Sequence, residues 1–132
     1  MTSEPKWISN AAVLAICDRL IAEHGGASGF LDERKLDGAL ASPRNHFAHG
    51  QTDLFRLAAA YAWAITRDHP FRDGNKRVAL TVAAVFLELN GYRLDALEND
   101  AVSAVLALSA RDVDAEGFAE WLRDSSTKIP RA

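Results

Sequence analysis

Apolar residues recur along this chain at the spacing of helices, and no stretch shows the clear alternation of a strand pair. In residues 13–21 they lie three and four apart, which predicts a first helix that Ser9 caps and Gly25 ends. The same spacing over residues 52–66 predicts a longer amphipathic helix. The helix predicted from about residue 73 or 74 to residue 89 is apolar nearly all round, so it belongs at the centre of a bundle.

Proline and capping signals predict the remaining elements. Asp32 is predicted to cap a short second helix that ends just before Pro43, because the residue before a proline disfavours the helical backbone. Residues 44–50 are then predicted to form a loop. Two further helices are predicted to follow the caps Asp100 and Asp114.

Together these elements predict an all-α fold, a single compact bundle of about six helices around a buried central helix. The length of 132 residues suits one domain. We assign that domain to residues 1–125 and predict that the polar residues 126–132 form a loose C-terminal tail.

Composition and charge narrow the class of protein. The net charge of −3 argues against a general nucleic-acid binder, which usually carries a basic surplus. The single cysteine, Cys17, lies among apolar residues and is predicted to be a buried hydrophobe. The N-terminus lacks the pattern of a signal peptide, and no apolar run is long enough for a membrane span. We therefore expect a cytoplasmic protein that contacts neither nucleic acid nor membrane.

The polar chemistry of the chain is concentrated in residues 69–77, which read HPFRDGNKR and which we call the polar loop. The loop precedes the predicted central helix, and a helix N-terminus offers unpaired N–H groups to an anion. If Asp73 caps that helix, the free N–H groups belong to Gly74, Asn75 and Lys76. Lys76 and Arg77 add the two usual cations for phosphate oxygens.

Two residues of the polar loop have further chemical uses. Asp73 is a carboxylate beside a predicted phosphate site, which is the usual environment of Mg²⁺. His69 carries an imidazole, which titrates near neutral pH and can accept a proton from an attacking hydroxyl. This set of residues suits phosphoryl transfer, which asks a protein mainly for positioning and charge stabilisation.

A purely structural interpretation is open for each residue taken alone. His69 and the proline after it can simply stop a helix, Asp73 can simply cap one, and Lys76 and Arg77 can lie in a solvated first turn. Taken together, however, crowded cations at a helix N-terminus oppose the helix dipole. That unfavourable charge pattern indicates an anion-binding site.

The polar loop resembles the signature loop of the Fic-type fold and, within it, that of the death-on-curing (Doc) toxin family, whose version ends in Asn-Lys-Arg. Residues 53–68 and 78–91 are similar to the two central helices of that family. The glycine-rich stretch after the first helix, residues 36–40 and Pro43 are similar to its N-terminal part. The resemblance thus covers nearly the whole chain.

The resemblance implies a role for each residue of the polar loop. His69 would be the base for the target hydroxyl, and Asp73 would be a ligand of Mg²⁺. Residues 74–77 (Gly74, Asn75, Lys76 and Arg77) would bind the phosphates of ATP. Toxins of this family transfer phosphate from ATP to a threonine of elongation factor Tu, and each is paired with an antitoxin whose disordered tail covers the active-site groove.

The same resemblance leaves two alternative activities open. Adenylyltransferases of this fold read Gly-Asn-Gly-Arg and carry a second arginine three positions later, whereas this chain has Lys76 after the asparagine and Leu80 at the second position. Both differences favour transfer of the γ-phosphate over transfer of AMP. A catalytically silent module that binds only nucleotide or antitoxin is the other alternative.

Residues outside the polar loop have weaker claims to the site. Arg67 could supplement the phosphate-binding cations or simply interact with a helix C-terminus. Arg44, Asn45 and His46 lie in the predicted loop that flanks the target groove in the family, so they are candidates for contact with the target. An exposed loop without a function is the alternative for these three.

Overall fold

The computed structural model describes residues 3–130 and builds this part of the chain from six helices and two short strands. The elements are α1 (Asn10–His24), α2 (Glu33–Ala48), α3 (Leu54–Asp68), α4 (Asn75–Leu89), β1 (Tyr92–Leu94), α5 (Glu98–Ser109), α6 (Ala115–Asp124) and β2 (Ser126–Lys128). The predicted all-α bundle is confirmed. None of the helices in the described range combines the length and apolar character that a membrane crossing requires.

Local capping explains where most helices begin. The Ser9 hydroxyl accepts a hydrogen bond from the backbone of Ala12 at 3.1 Å, and the Asp114 carboxylate accepts one from Gly117 at 2.8 Å. Asp32 caps α2 in the same way. The predicted cap Asp100 is wrong, because α5 begins at Glu98 without any side-chain cap.

The most completely buried helix is α3, which packs against α2, α4, α5 and α6. Its residues 57–62 and 64–66 are all buried. The helix α4, which the sequence places at the centre, buries one broad face against α3 and α1, and the Phe86 ring lies tilted against Tyr61 at a centroid distance of 5.1 Å. The polar loop connects these two tightly packed helices, so both of its ends are held rigidly.

The helix α2 continues through Pro43, so the predicted loop at residues 44–50 is wrong for most of its length. Proline in a helix interior removes one backbone hydrogen bond and costs about 3 kcal/mol or more. Tertiary contacts offset this cost. Pro43 is buried, Phe47 packs edge-on against Trp7 at 5.8 Å, and the guanidinium of Arg44 lies over the same ring at 5.5 Å.

The predicted loose tail is wrong for residues 126–128, which form β2 and pair with β1 in antiparallel register. Backbone bonds extend the pairing at both ends, from Asp95 to Ser125 at 2.8 Å and from Ile129 to Gly91 at 2.8 Å. Three-residue strands are too short to show an alternating pattern, and their partners are distant in sequence. The last two residues of the predicted tail lie outside the described residues.

Candidate active site

The polar loop reverses the chain through two residues with left-handed backbone. His69 ends α3 at φ 50° and ψ 60°, and Gly74 precedes α4 at φ 80°. A left-handed backbone costs a non-glycine residue roughly 1–2 kcal/mol, so the His69 conformation must be held by its surroundings. The buried Pro70 and Phe71 between the two turns supply this anchor. The two turns bring the His69 imidazole and the first turn of α4 to the same groove.

Phe71 and Asn75 hold the polar loop in place through contacts on its buried side. Phe71 is 1% exposed and stacks on Phe30 at a centroid distance of 5.4 Å. The Asn75 side-chain amide donates to the Phe71 carbonyl at 2.9 Å and accepts from the Phe71 N–H at 3.1 Å. Both ends of this amide are therefore engaged in holding the loop, and the Asn75 backbone N–H remains for a ligand.

Asp73 does not cap α4, contrary to the prediction, because Gly74 occupies the capping position and no side chain caps this helix. An N-cap residue needs an extended backbone and a side chain that reaches the next turn, whereas Gly74 is left-handed and has no side chain. The Asp73 carboxylate instead accepts a hydrogen bond through Oδ2 from the backbone N–H of Ala27, at 2.8 Å. Among residues 3–130, Oδ1 has no hydrogen-bond partner.

The first turn of α4 has the free N–H groups and the positive charge that an anion-binding site requires. The N–H groups of Asn75, Lys76 and Arg77 have no acceptor within the helix, because the first helical bond runs from Val78 to Gly74 at 2.8 Å. Lys76 and Arg77 are exposed, as is the loop's third cation, Arg72. Within the described range no carboxylate forms an ion pair with any of these three cations, so their charges add to the helix dipole.

These residues line one side of a groove of about 500 Å³. The groove also has an apolar wall, which comes from α4 and α5: Leu80, Val102, Val105 and Leu106. Val102 is 45% exposed and Leu106 is 47% exposed, which is high for side chains of this size. The groove therefore joins a cationic floor to an apolar wall, a combination that fits a ligand with both phosphate and apolar parts.

The structure places Arg67 outside this groove. Its guanidinium donates to both carboxylate oxygens of Asp68, at 2.7 and 3.0 Å. This hydrogen bonding raises the pKa of Arg67 and lowers the pKa of Asp68. The Arg67 side chain borders a separate, open depression beside α2, and it is not among the residues that line this groove.

The three residues predicted to contact the target are also not brought to the groove. They lie on α2 and not in a loop, since that helix continues to Ala48. Arg44 lies over Trp7, while Asn45 and His46 border the depression next to Arg67. The direction of a side chain on α2 depends on the rotation of the helix about its axis. Because these residues were predicted to form a loop, that rotation could not be taken into account from the sequence.

Two parts of the site were missed from the sequence. The apolar wall of α5 is one, because Val102 and Leu106 follow ordinary helical spacing and are indistinguishable from core residues in the pattern. The contact of Ala27 with Asp73 is the other. The glycines at 25, 26 and 29 are typical of a loop, but the sequence does not indicate that this loop packs on the polar loop.

Comparison with known proteins gives consistent matches. A model of the Fic/DOC family matches residues 7–87. The chain is 35% identical over 90 residues to "Protein kinase doc" of Escherichia phage P1, an overlap of 67% of this chain and 71% of that relative. It is 32% identical over 102 residues to "Toxin Doc" of Mycolicibacterium smegmatis, covering 74% of this chain and 78% of that relative. The family match includes the whole polar loop, whereas α5 lies beyond it.

Proposed function

Because this chain belongs to the Fic/DOC family, we propose that it is a toxin that transfers the γ-phosphate of ATP to a Ser or Thr hydroxyl of a protein. One observation carries the proposal: His69, Asp73 and the cationic first turn of α4 line a single groove. Elongation factor Tu is the target that the resemblance suggests. Its modification would block translation.

Each residue of the groove has a separate role in the proposed reaction. The His69 imidazole accepts the proton of the attacking hydroxyl, whose oxygen forms a bond to the γ-phosphorus. The bond from the γ-phosphorus to the bridging oxygen breaks, and ADP leaves. The N–H groups at the start of α4, with Lys76 and Arg77, stabilise the charge that spreads over the phosphate oxygens.

Asp73 fits the role of a ligand for the Mg²⁺ that accompanies ATP. It is exposed at the groove, and its Oδ1 is available while Oδ2 is held by Ala27. Mg²⁺ beside phosphates usually takes only one or two protein carboxylates, with phosphate oxygens and water as its other ligands. When bound, Mg²⁺ would neutralise charge on the phosphates.

Leu80 and Lys76 support transfer of phosphate over transfer of AMP. Leu80 borders the groove at the position where adenylyltransferases of this fold have a second arginine, and a leucine cannot hold a phosphate. Lys76 places a charged side chain where those enzymes have glycine. In the Doc branch the nucleotide lies reversed, so that the γ-phosphate faces the histidine.

Parallel labelling reactions test which group is transferred. The purified protein is incubated with elongation factor Tu and Mg²⁺, using ATP labelled at the α- or the γ-phosphate. We expect label on the target from γ-labelled ATP alone, and none with the His69→Asn variant. Label from α-labelled ATP would establish AMP transfer, and nucleotide binding without label on any protein would identify a silent binding module.

The toxin assignment has a separate test in cells. Induced expression of the wild-type chain should arrest growth, whereas equal expression of His69→Asn should not. Co-expression of a cognate antitoxin, whose tail would cover the groove, should restore growth. Normal growth with folded wild-type protein would contradict the toxin assignment.

A further inference from the structure

A glycine-rich segment that is remote in sequence packs directly on Asp73. This segment, residues 25–30, which we call the glycine loop, connects α1 to α2. Its Ala27 N–H donates to Asp73 Oδ2 across 46 residues of sequence. We propose that the glycine loop positions the Asp73 carboxylate, and that Gly26 is the residue on which this positioning depends. The proposal rests on the proposed function for the use of Asp73 as a magnesium ligand.

The glycine loop is fixed against the polar loop at its far end. Arg72 donates its backbone N–H to the Gly29 carbonyl at 3.1 Å, and Phe30 forms a β-bridge with Phe71, whose ring it also stacks upon. Just after the glycine loop, the N–H groups of Leu31 and Asp32 both donate to the Pro70 carbonyl, at 2.9 and 3.2 Å. With this end held, and the other end held by α1, the Ala27 N–H has a defined position and direction.

A side chain at position 26 would crowd the Asp73 side chain while this contact is made. A Cβ at Gly26 would lie 3.2 Å from Asp73 Cβ, 3.4 Å from Asp73 Oδ2 and 3.2 Å from Ile21 Cδ1. The end of the Ile21 side chain can move aside. Asp73 Cβ can yield only by shifting the polar loop to which it is attached, and such a shift would move its carboxylate. Gly26 also has φ +117°, which other residues rarely adopt.

Because Ala27 holds Oδ2 of Asp73, the direction in which Oδ1 points is fixed as well. A carboxylate without the Ala27 bond rotates about its side-chain torsions, and a displaced metal ligand weakens metal binding more than it weakens the fold. The expected signature is therefore a raised requirement for Mg²⁺, with ATP binding in the absence of metal unaffected. A merely structural role of Gly26 would lower stability and change both properties together.

The Gly26→Ala variant tests this signature against a matched control. Gly50→Ala introduces the same side chain at a similar φ, +102°, where nothing lies within 4 Å of the new Cβ. The measurements are kcat, the Mg²⁺ concentration for half-maximal transfer, and ATP affinity with and without Mg²⁺. We expect Gly26→Ala to raise the Mg²⁺ requirement by on the order of 10- to 100-fold, the usual effect of losing a group that orients a metal ligand. ATP affinity in EDTA should remain that of the wild type. If Gly26→Ala and Gly50→Ala had the same Mg²⁺ requirement, the proposal would be overturned.

Amide hydrogen exchange tests the contact without any catalysis. In the full chain, the Ala27 N–H should exchange slowly and should lose that protection in Asp73→Ala. Asp73→Asn should retain it, because the amide oxygen still accepts the bond. Unchanged protection of Ala27 in Asp73→Ala would overturn the proposal. If Ala27 behaves as expected while no substrate is phosphorylated, the positioning contact stands and the proposed function fails.

Discussion

The Asn75 side-chain amide and the Phe71 backbone form a reciprocal pair of hydrogen bonds, at 2.9 and 3.1 Å. These bonds close the polar loop immediately before α4. They explain why an asparagine precedes the two cations of the first helical turn: its amide has both a donor and an acceptor, and the Phe71 backbone uses both.

We predict that Asn75→Ala lowers stability and activity together. Loss of two hydrogen bonds of about 1 kcal/mol each, both to the partly buried Phe71 backbone, should reduce the free energy of unfolding by about 1–3 kcal/mol. Denaturant titration and kcat measure the two effects. Asn75→Asp keeps the acceptor and loses the donor, so it should be intermediate in stability. Wild-type values for both properties in Asn75→Ala would show that the pair does not hold the loop.

Replacement of His69 should separate chemistry from folding. Asparagine tolerates the left-handed backbone that His69 adopts, so His69→Asn should keep the helical circular dichroism spectrum and the melting temperature. Loss of a general base should lower kcat by about 10²–10⁴. His69→Gly, which has no left-handed penalty, is a second variant with the same expected loss of rate. Turnover close to wild type in both variants would exclude His69 as the base.

Arg77 should contribute to binding as well as to rate. A charge-assisted contact to phosphate acts in the ground state too, so Arg77→Ala should weaken ATP affinity and lower kcat/KM. Isothermal titration with ATP and Mg²⁺ measures the first effect. Arg93→Ala, which removes an exposed cation on β1, is the control and should bind ATP normally. Equal affinities for the two variants would remove Arg77 from the phosphate site.

The Asp68–Arg67 pair should make stability depend on pH. Hydrogen bonds from Arg67 lower the pKa of Asp68, with further contributions from Lys35 and Arg111. A lowered folded-state pKa means that the contribution is present above the ordinary aspartate value of about 3.9 and is lost as the pH falls through the folded value. Asp68→Asn should therefore melt below the wild type at pH 7.

Melting curves from pH 7 down to the acid limit of folding check this expectation. The difference between wild type and Asp68→Asn should narrow as the pH falls below the ordinary aspartate range. Asp18→Asn, at an exposed carboxylate without an ion-pair partner among residues 3–130, should show no such trend. A constant difference across the whole range would mean that the charge of Asp68 does not stabilise the fold.

The sequence by itself determined the features that depend on near neighbours. Ser9, Asp32 and Asp114 cap helices because each carboxylate or hydroxyl reaches a backbone N–H two or three residues away. The polar loop was found for the same reason. Its histidine, carboxylate and cations lie within nine consecutive residues, and their charge pattern at a helix start is visible without any tertiary contact.

Only the tertiary structure decided the features that join distant segments. Packing of Phe47 and Arg44 on Trp7 carries α2 through Pro43, and pairing with β1 orders residues 126–128. The apolar wall of α5 and the bond from Ala27 to Asp73 likewise appear only when separate elements meet. Helical periodicity shows which residues share a face but not what that face contacts, because the rotation and neighbours of a helix are set by the packing of the whole core.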